Sequence, residues 1–363
     1  MKDYLPYEAE LREKIQQTIL SCYGENGFSR IFTPAVEDIV NLDKSEGGEN
    51  LNLIFRIMKR GDKLEAALKN GGELCDMGLR YDLTLPLSRY YAANRDRLPM
   101  PFKCIQTDRV YRAERPQKGR MREFIQCDID IIGDSSTDCE TELITVTADA
   151  LSRLGIGDFR IRINDRRVLN AVLLSCGFAE DQLESVCVSF DKLDKIGAEG
   201  VRKEISEKGF PEQAAESFGA LLERLPLTLE EVKEITGAEL ARNLETIISS
   251  ASALIKDSCK LEFDLSLVRG QGYYTGTVFE AESCRFRGAV AGGGRYDGLI
   301  GKFTGEDIPA CGFSIGFERI FGILSENAAA DRSKTALVYE CDFAKAYGIA
   351  EKLRSEGVKV SLF

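Results

Sequence analysis

Histidine is absent from all 363 residues. That excludes Ser-His-Asp and Cys-His catalysis, H-E-x-x-H metal sites and imidazole proton shuttles, so any chemistry here runs without a histidine base. Long apolar runs are missing too. None approaches membrane-spanning length, and Met1-Lys2-Asp3-Tyr4 lacks the apolar stretch of a secretory signal, so a cytoplasmic protein is expected. The eleven cysteines, scattered from Cys22 to Cys341, include no pair at C-x-x-C spacing. This argues against a zinc knuckle or a redox pair and for reduced, mostly buried thiols. No Gly-Lys-Ser/Thr follows any glycine run, and Thr275 stands where the third glycine of G-x-G-x-x-G would fall after Gly270 and Gly272. P-loop and Rossmann readings therefore fail.

What is present is a globular composition, with 44% hydrophobic and 29% charged residues. The length exceeds that at which a single core usually stops growing, which predicts two domains or one domain with an insertion. A net charge of −11 opposes a general affinity for polyanions but leaves room for a local basic patch. Residues 8 to 23 place Leu11, Ile15, Ile19 and Cys22 on one helical face, and Ile31-Phe32-Thr33-Pro34 reads as an edge strand. Two extended runs between Cys104 and Ile132 flank the polar turn Glu114–Gly119, as in a long hairpin, and a helix follows over about 140–154. Residues 165–250 turn into charged helical stretches broken by Pro211 and Pro226, a candidate inserted helical domain. Strand-like alternation returns at Leu261–Val268 and Tyr273–Glu280. From Ser333 the pattern is strand, helix, strand. The expected class is α+β, a mostly antiparallel sheet flanked by helices.

Between Lys103 and Arg122 seven cationic side chains face two acids. Guanidinium forks match phosphate oxygens, so this hairpin could hold a polyphosphate, although charge alone fits a solvated hairpin equally well. The return strand favours the first reading. Period-two alternation from Ile125 to Ile131 puts Gln126, Asp128 and Asp130 on one face and Ile125, Cys127, Ile129 and Ile131 on the other. Two carboxylates and an amide suit a pocket for an amino group and a hydrogen-bonding side chain. Asp82 and Thr84 add a carboxylate and a hydroxyl on one face if that segment is extended. Activation of a carboxylate by ATP satisfies the histidine-free condition, since the nucleophile is already an anion and the protein need only position it and stabilise charge at phosphorus.

Together these segments resemble a class II aminoacyl-tRNA synthetase, and within that class the histidyl-tRNA synthetases, over essentially the whole chain. Asp3-Tyr4-Leu5-Pro6 and Phe32-Thr33-Pro34 resemble the family's N-terminal entry and first motif. Arg112-Ala113-Glu114-Arg115-Pro116-Gln117-Lys118-Gly119-Arg120 resembles the second motif, and Gly316-Phe317-Glu318-Arg319 the third. Arg269-Gly270 with Tyr273-Tyr274, and Gly293-Gly294-Arg295-Tyr296-Asp297-Gly298, resemble two signatures of the histidine enzymes. The resemblance implies a class II catalytic core over 1–164 and 251–327, a helical insertion over 165–250 and a partial anticodon-binding α/β domain over 328–363. It implies that Arg112 contacts the ATP α-phosphate, Glu114 the adenine side and Arg319 the γ-phosphate. Asp82, Thr84 and Gln126 would grip the substrate ammonium and carboxylate. Asp130 and Tyr274 would read the imidazole, with Tyr273 beside them. Arg269 would neutralise charge at the α-phosphorus, and magnesium would bridge the remaining phosphates. The substrates implied are L-histidine, ATP and tRNA(His), the assembly a homodimer. One departure stands out: the family's usual Arg-Gly-Leu-Asp-Tyr-Tyr is here Arg269-Gly270-Gln271-Gly272-Tyr273-Tyr274.

The rival from another class is the regulatory subunit of ATP phosphoribosyltransferase, a catalytically silent paralogue. It tends to lose the motif arginines, whereas Arg112, Arg269 and Arg319 all stand here. A tRNA-independent amidotransferase-like ligase of the same fold fits the histidine signatures less well. Fold alone does not separate the three.

Overall fold

The computed structural model describes residues 2–44, 52–115, 121–255, 259–268, 274–328, 335–337 and 342–363, with backbone only at 327–328 and 335–337. The chain divides into two compact units, Met1–Phe321 and Gly322–Phe363. The strands of the larger unit are β1 (Ser29–Arg30), β2 (Val36–Asp38), β3 (Arg56–Met58), β4 (Cys75–Leu79), β5 (Phe102–Tyr111), β6 (Glu123–Ile132), β7 (Phe159–Asp165), β8 (Cys259–Phe263), β9 (Thr277–Ser283), β10 (Ala289–Arg295) and β11 (Ala310–Gly316). Eight of them form one sheet in the order β1-β5-β6-β11-β10-β9-β7-β8. The interior pairs are antiparallel, and only β1 on β5 and β8 on β7 are parallel. A second, three-stranded antiparallel sheet runs β2-β4-β3. The architecture is α+β, as the sequence predicts.

The hairpin forms because both arms are long and β-branched or apolar at the positions that need burial. β5 and β6 pair in unbroken register from Phe102↔Ile132 to Tyr111↔Glu123. β6 is central, and Cys127, Ile129, Ile131 and Ile132 are all buried. The helices Pro6–Glu25 and Asp138–Arg153 pack on each other, and both meet this sheet, the first against β5 and the second against β11. Buried Ile15, Ile19, Leu143, Val146 and Leu151 supply their apolar stripes, each stabilising by roughly 1.5–3 kcal/mol. A second cluster joins the helices Thr84–Asn94 and Asp297–Thr304, with Leu85, Leu87, Leu299 and Ile300 packed against Tyr81, Phe102 and Tyr296.

Several boundaries differ from the sequence reading. The edge strand ends at Arg30 rather than covering Ile31–Pro34, because buried Arg80 captures the Thr33 carbonyl at 2.6 Å and the Pro34 carbonyl at 3.4 Å. Only Ile31 continues the pairing, donating its N–H to Ile105. The run from Leu261 to Val268 stops being strand after Phe263, where the Asp264 carboxylate takes the Ser266 N–H at 2.9 Å and its hydroxyl at 2.6 Å and turns the chain. Residues 165–250 are helical as expected, over Arg166–Ser175, Leu183–Phe190, Leu193–Glu207, Glu212–Arg224, Leu229–Thr236 and Ala238–Leu254. They lie within the larger unit. The smaller unit carries β12 (Thr335–Leu337) and β13 (Val360–Leu362), a parallel pair joined through the helix Phe343–Ser355, which Asp342 caps by accepting the Lys345 N–H. No helix among the described residues is long and apolar enough to cross a membrane.

Candidate active site

A cavity of about 180 Å³ opens on one face of the central sheet. Register explains why it is there. On that face Asp130 pairs with Gly312, Asp128 with Ser314 and Gln126 with Gly316 across β6 and β11. One strand further, β10 sets Gly294 beside Gly312 and Gly292 beside Ser314. Beside the polar stripe of β6 the same face thus carries little side-chain volume on β11 and β10, and the cavity lies over Gly312, Ser314 and Gly292. Two of these glycines are required by close approach. A Cβ on Gly312 would overlap the Asp130 carboxylate, and one on Gly294 would press on the Tyr274 ring and the Thr277 carbonyl.

Six sequence-predicted residues meet here: Asp82, Thr84, Arg112, Gln126, Asp130 and Tyr274 all line the cavity. Asp82 and Thr84 arrive by a different route from the one expected. Thr84 begins a helix, not a strand, and Asp82 accepts the Leu85 N–H at 3.2 Å in that helix's first turn. Arg112 lies just beyond β5, its Nε donating to the Tyr81 carbonyl at 3.0 Å and its guanidinium lying 4.9 Å from the Phe124 ring centre. Gln126 donates from Nε2 towards Asp128 at 3.3 Å and Ser314 at 3.4 Å, while its buried Oε1 has no partner among the described residues. Tyr296 donates its hydroxyl to Asp130 at 2.6 Å.

Glu114 and Arg319 do not line the cavity. Glu114 is half-buried at the hairpin mouth, where its carbonyl accepts from Arg122 Nε. Arg319 springs from the first turn of the helix Phe317–Ala328 and donates from Nη1 to the Ala289 carbonyl. Both arginines stand at one end of the ladder, Arg112 just past Tyr111↔Glu123 and Arg319 three residues past Gly316↔Gln126. Arg269 and Tyr273 lie outside the described residues, as does the hairpin tip at 116–120.

Three carboxylates share this small space, and burial raises all of them. The Asp128 carboxyl is pushed up to about 8 by burial and by neighbouring Asp130 and Asp82. Asp130 reaches about 7 through burial and Asp82, although the Tyr296 hydroxyl pulls the other way. Asp82 reaches about 6 through burial, against the lowering effect of the Leu85 N–H and Arg112. Such a cavity favours a ligand that brings positive charge and hydrogen-bond donors.

Alternation puts Asp128 on the face that suits a pocket, but the family resemblance assigns it no individual contact, and neither singles out Tyr296; both line the cavity. The alternation around Asp128 was the available signal. For Tyr296 there was only its membership of the glycine-rich signature. Its neighbour Arg295 turns away and holds Glu140 through two bonds of 2.7 Å, both side chains buried.

An antiparallel sheet with a polar central strand, a long arginine hairpin and a strand-to-helix third motif defines the class II synthetase type of catalytic core. The family model for histidyl-tRNA synthetase matches residues 1–320, and the chain belongs to that family. The histidine–tRNA ligase of Leifsonia xyli subsp. xyli is 44% identical over 381 residues, covering 100% of this chain and 88% of its own. A probable histidine–tRNA ligase of Tropheryma whipplei is 39% identical, covering 94% and 83%. Among solved structures, histidyl-tRNA synthetase from Nostoc sp. PCC 7120 superposes with a TM-score of 0.81 at 28% identity, covering 100% of this chain and 84% of its own. An ATP phosphoribosyltransferase regulatory subunit/histidyl-tRNA synthetase from Bacillus halodurans C superposes at 0.80 with 23% identity, covering 100% and 90%. At that identity the likeness concerns the fold alone.

Proposed function

We propose that this protein is a histidine–tRNA ligase that joins histidine to ATP as an aminoacyl adenylate and then passes it to tRNA(His). The observation that carries the reading is the convergence of Asp82, Thr84, Arg112, Gln126, Asp130 and Tyr274 on one cavity. In this reading Asp82, with Thr84 and Gln126, receives the ammonium and sets the carboxylate towards Arg112. Asp130, held by Tyr296, and Tyr274 contact the ring, with Tyr273 beside them. The only imidazole in the reaction is the substrate's own, because the chain has none.

A carboxylate oxygen of histidine forms a bond to the α-phosphorus, and the bond from that phosphorus to the bridging oxygen breaks. The electron pair leaves with pyrophosphate. Arg112 and Arg269 offset charge at the α-phosphorus, Arg319 holds the γ-phosphate end, and Glu114 borders the adenine. Magnesium bound with ATP would offset further charge on the phosphate oxygens beside these arginines. In the second step a ribose hydroxyl of the tRNA attacks the acyl carbon and AMP departs. The core and helical insertion, over 1–164 with 251–327 and over 165–250, serve the first step and tRNA contact. Residues 328–363 are read as anticodon-binding-like. A cytoplasmic homodimer completes the reading.

Histidine-dependent ATP–pyrophosphate exchange tests it. Wild type should exchange, and Asp130→Asn should lower the efficiency with histidine by about 100-fold, as expected when a buried ligand-facing carboxylate loses its charge. A folded wild type that shows no exchange returns the chain to the regulatory-subunit reading. Exchange that is equally efficient with several other amino acids overturns the roles of Asp130 and Tyr274.

A further inference from the structure

The helix that carries Arg319 begins beside an ion pair that the reaction scheme does not use. Glu318 accepts Arg12 through both oxygens, from Nη1 at 2.6 Å and from Nη2 at 2.7 Å. The pair is well shielded, with side-chain exposures of 13% for Arg12 and 10% for Glu318. Arg12 is also boxed by aromatic rings. Its guanidinium carbon lies 3.9 Å from the centre of Tyr4, 4.7 Å from Phe317 and 5.2 Å from Phe321. The Tyr4 hydroxyl adds a bond to Glu318 at 3.2 Å, and Tyr4 meets Phe321 edge-on at 5.8 Å. Burial and then Glu318 push the Tyr4 phenol up to about 12, so it stays a donor.

The same carboxylate reaches the substrate strand. The β6–β11 register ends at Gly316↔Gln126, and the next N–H, that of Ile125, donates to Glu318 Oε1 at 3.3 Å. Glu318 therefore continues the ladder by one bond after the backbone of β11 has turned into helix. The consequences for the two neighbours differ. β6 is paired along its whole length with β5 and would keep its place without Glu318. The first turn of the Arg319 helix is held at this point through the Glu318 carboxylate, while Arg319 itself bonds to the Ala289 carbonyl at the start of β10.

We propose that Arg12 is a positioning residue for the ATP half of the site: its two-pronged bond to Glu318, set among Tyr4, Phe317 and Phe321, fixes the helix start from which Arg319 projects. The inference rests on the reading of Arg319 as a phosphate ligand. A planar fork caged by rings is pre-organised in a way an ammonium is not, so lysine is a poor replacement.

The test is pyrophosphate exchange by the full chain with ATP and histidine varied separately, for Arg12→Gln, Arg12→Lys, Arg319→Ala and Arg12→Gln/Arg319→Ala. The expected result for Arg12→Gln is a KM for ATP raised about tenfold with the KM for histidine within about twofold. Arg12→Lys should recover less than half of that loss. The double variant should be no worse towards ATP than Arg319→Ala alone, because the lost positioning has nothing left to position. Circular-dichroism melts accompany each variant, and Arg12→Lys is the milder case should Arg12→Gln unfold. Unchanged KM for ATP in a folded Arg12 variant overturns the proposal, as do additive effects in the double variant or equal rises in both KM values. Absence of exchange by wild type is a separate outcome that removes the functional reading and this proposal with it.

Discussion

Gly312 has no side chain, and Asp130 occupies the space one would fill. Gly312→Ala must move either the carboxylate or the β6–β11 pair, and a displacement of about 1 Å in a reacting group can cost about 100-fold in rate. Exchange with histidine should fall by that order while the melting temperature drops only a few degrees. A Gly312→Ala protein within twofold of wild type would show that Asp130 does not need its observed place. Asp130 itself was legible, since alternation along 125–131 assigned it to the polar face. Tyr296 was not, because nothing in Gly293-Gly294-Arg295-Tyr296 says that its hydroxyl ends 2.6 Å from a carboxylate 166 residues earlier.

Two buried arginines hold the elements that frame the cavity. Arg80 ties the segment after β1 to β5 by donating to the Thr33 carbonyl at 2.6 Å and the Arg109 carbonyl at 2.8 Å, with Asp108 at 2.8 Å. Arg295 joins the end of β10 to the helix Asp138–Arg153 through Glu140, and also donates to the Ser136 carbonyl at 2.8 Å. Breaking a buried pair from one side strands the other charge, so Arg295→Met should destabilise by about 3–5 kcal/mol. Adding Glu140→Leu should recover a large part of this. Denaturant midpoints at constant m-value measure both, and a double variant less stable than the single one would sink the argument. Lengths and types of the major elements were legible because their apolar periods are strong. The early end of the edge strand was not, because the competing donor, Arg80, lies far along the chain.

For the molecule as a whole, the three cavity carboxylates make stability depend on pH. Their folded values of about 6, 7 and 8 exceed the ordinary 3.8. Between those limits the folded chain binds more protons than the unfolded one, so this contribution is fullest near pH 4 and is lost as pH rises towards 8. Asp128→Asn should therefore raise the melting temperature more at pH 8 than at pH 5. A ligand ammonium favours the ionised carboxylates, and it remains charged over this range. Histidine should consequently raise the melting temperature more at pH 8 than at pH 6, as differential scanning fluorimetry would record. Equal increments at the two pH values would mean that Asp82 does not receive the ammonium.

The sequence by itself determined which chemistry was open and which side chains could perform it. A chain without histidine has no imidazole base, and the 3.6- and 2-residue periods decide which face of each helix and strand is apolar from nearest neighbours alone. The resemblance to the family implied six of the cavity's polar residues, Asp82, Thr84, Arg112, Gln126, Asp130 and Tyr274. Only the tertiary structure decided that Asp82, Asp128 and Asp130 share one cavity, that glycines on β10 and β11 make its floor, and that Arg12 meets Glu318 across 306 residues. Register and long-range pairing set these distances, and burial among the assembled elements, rather than any local pattern, moves the carboxyl groups from their ordinary values.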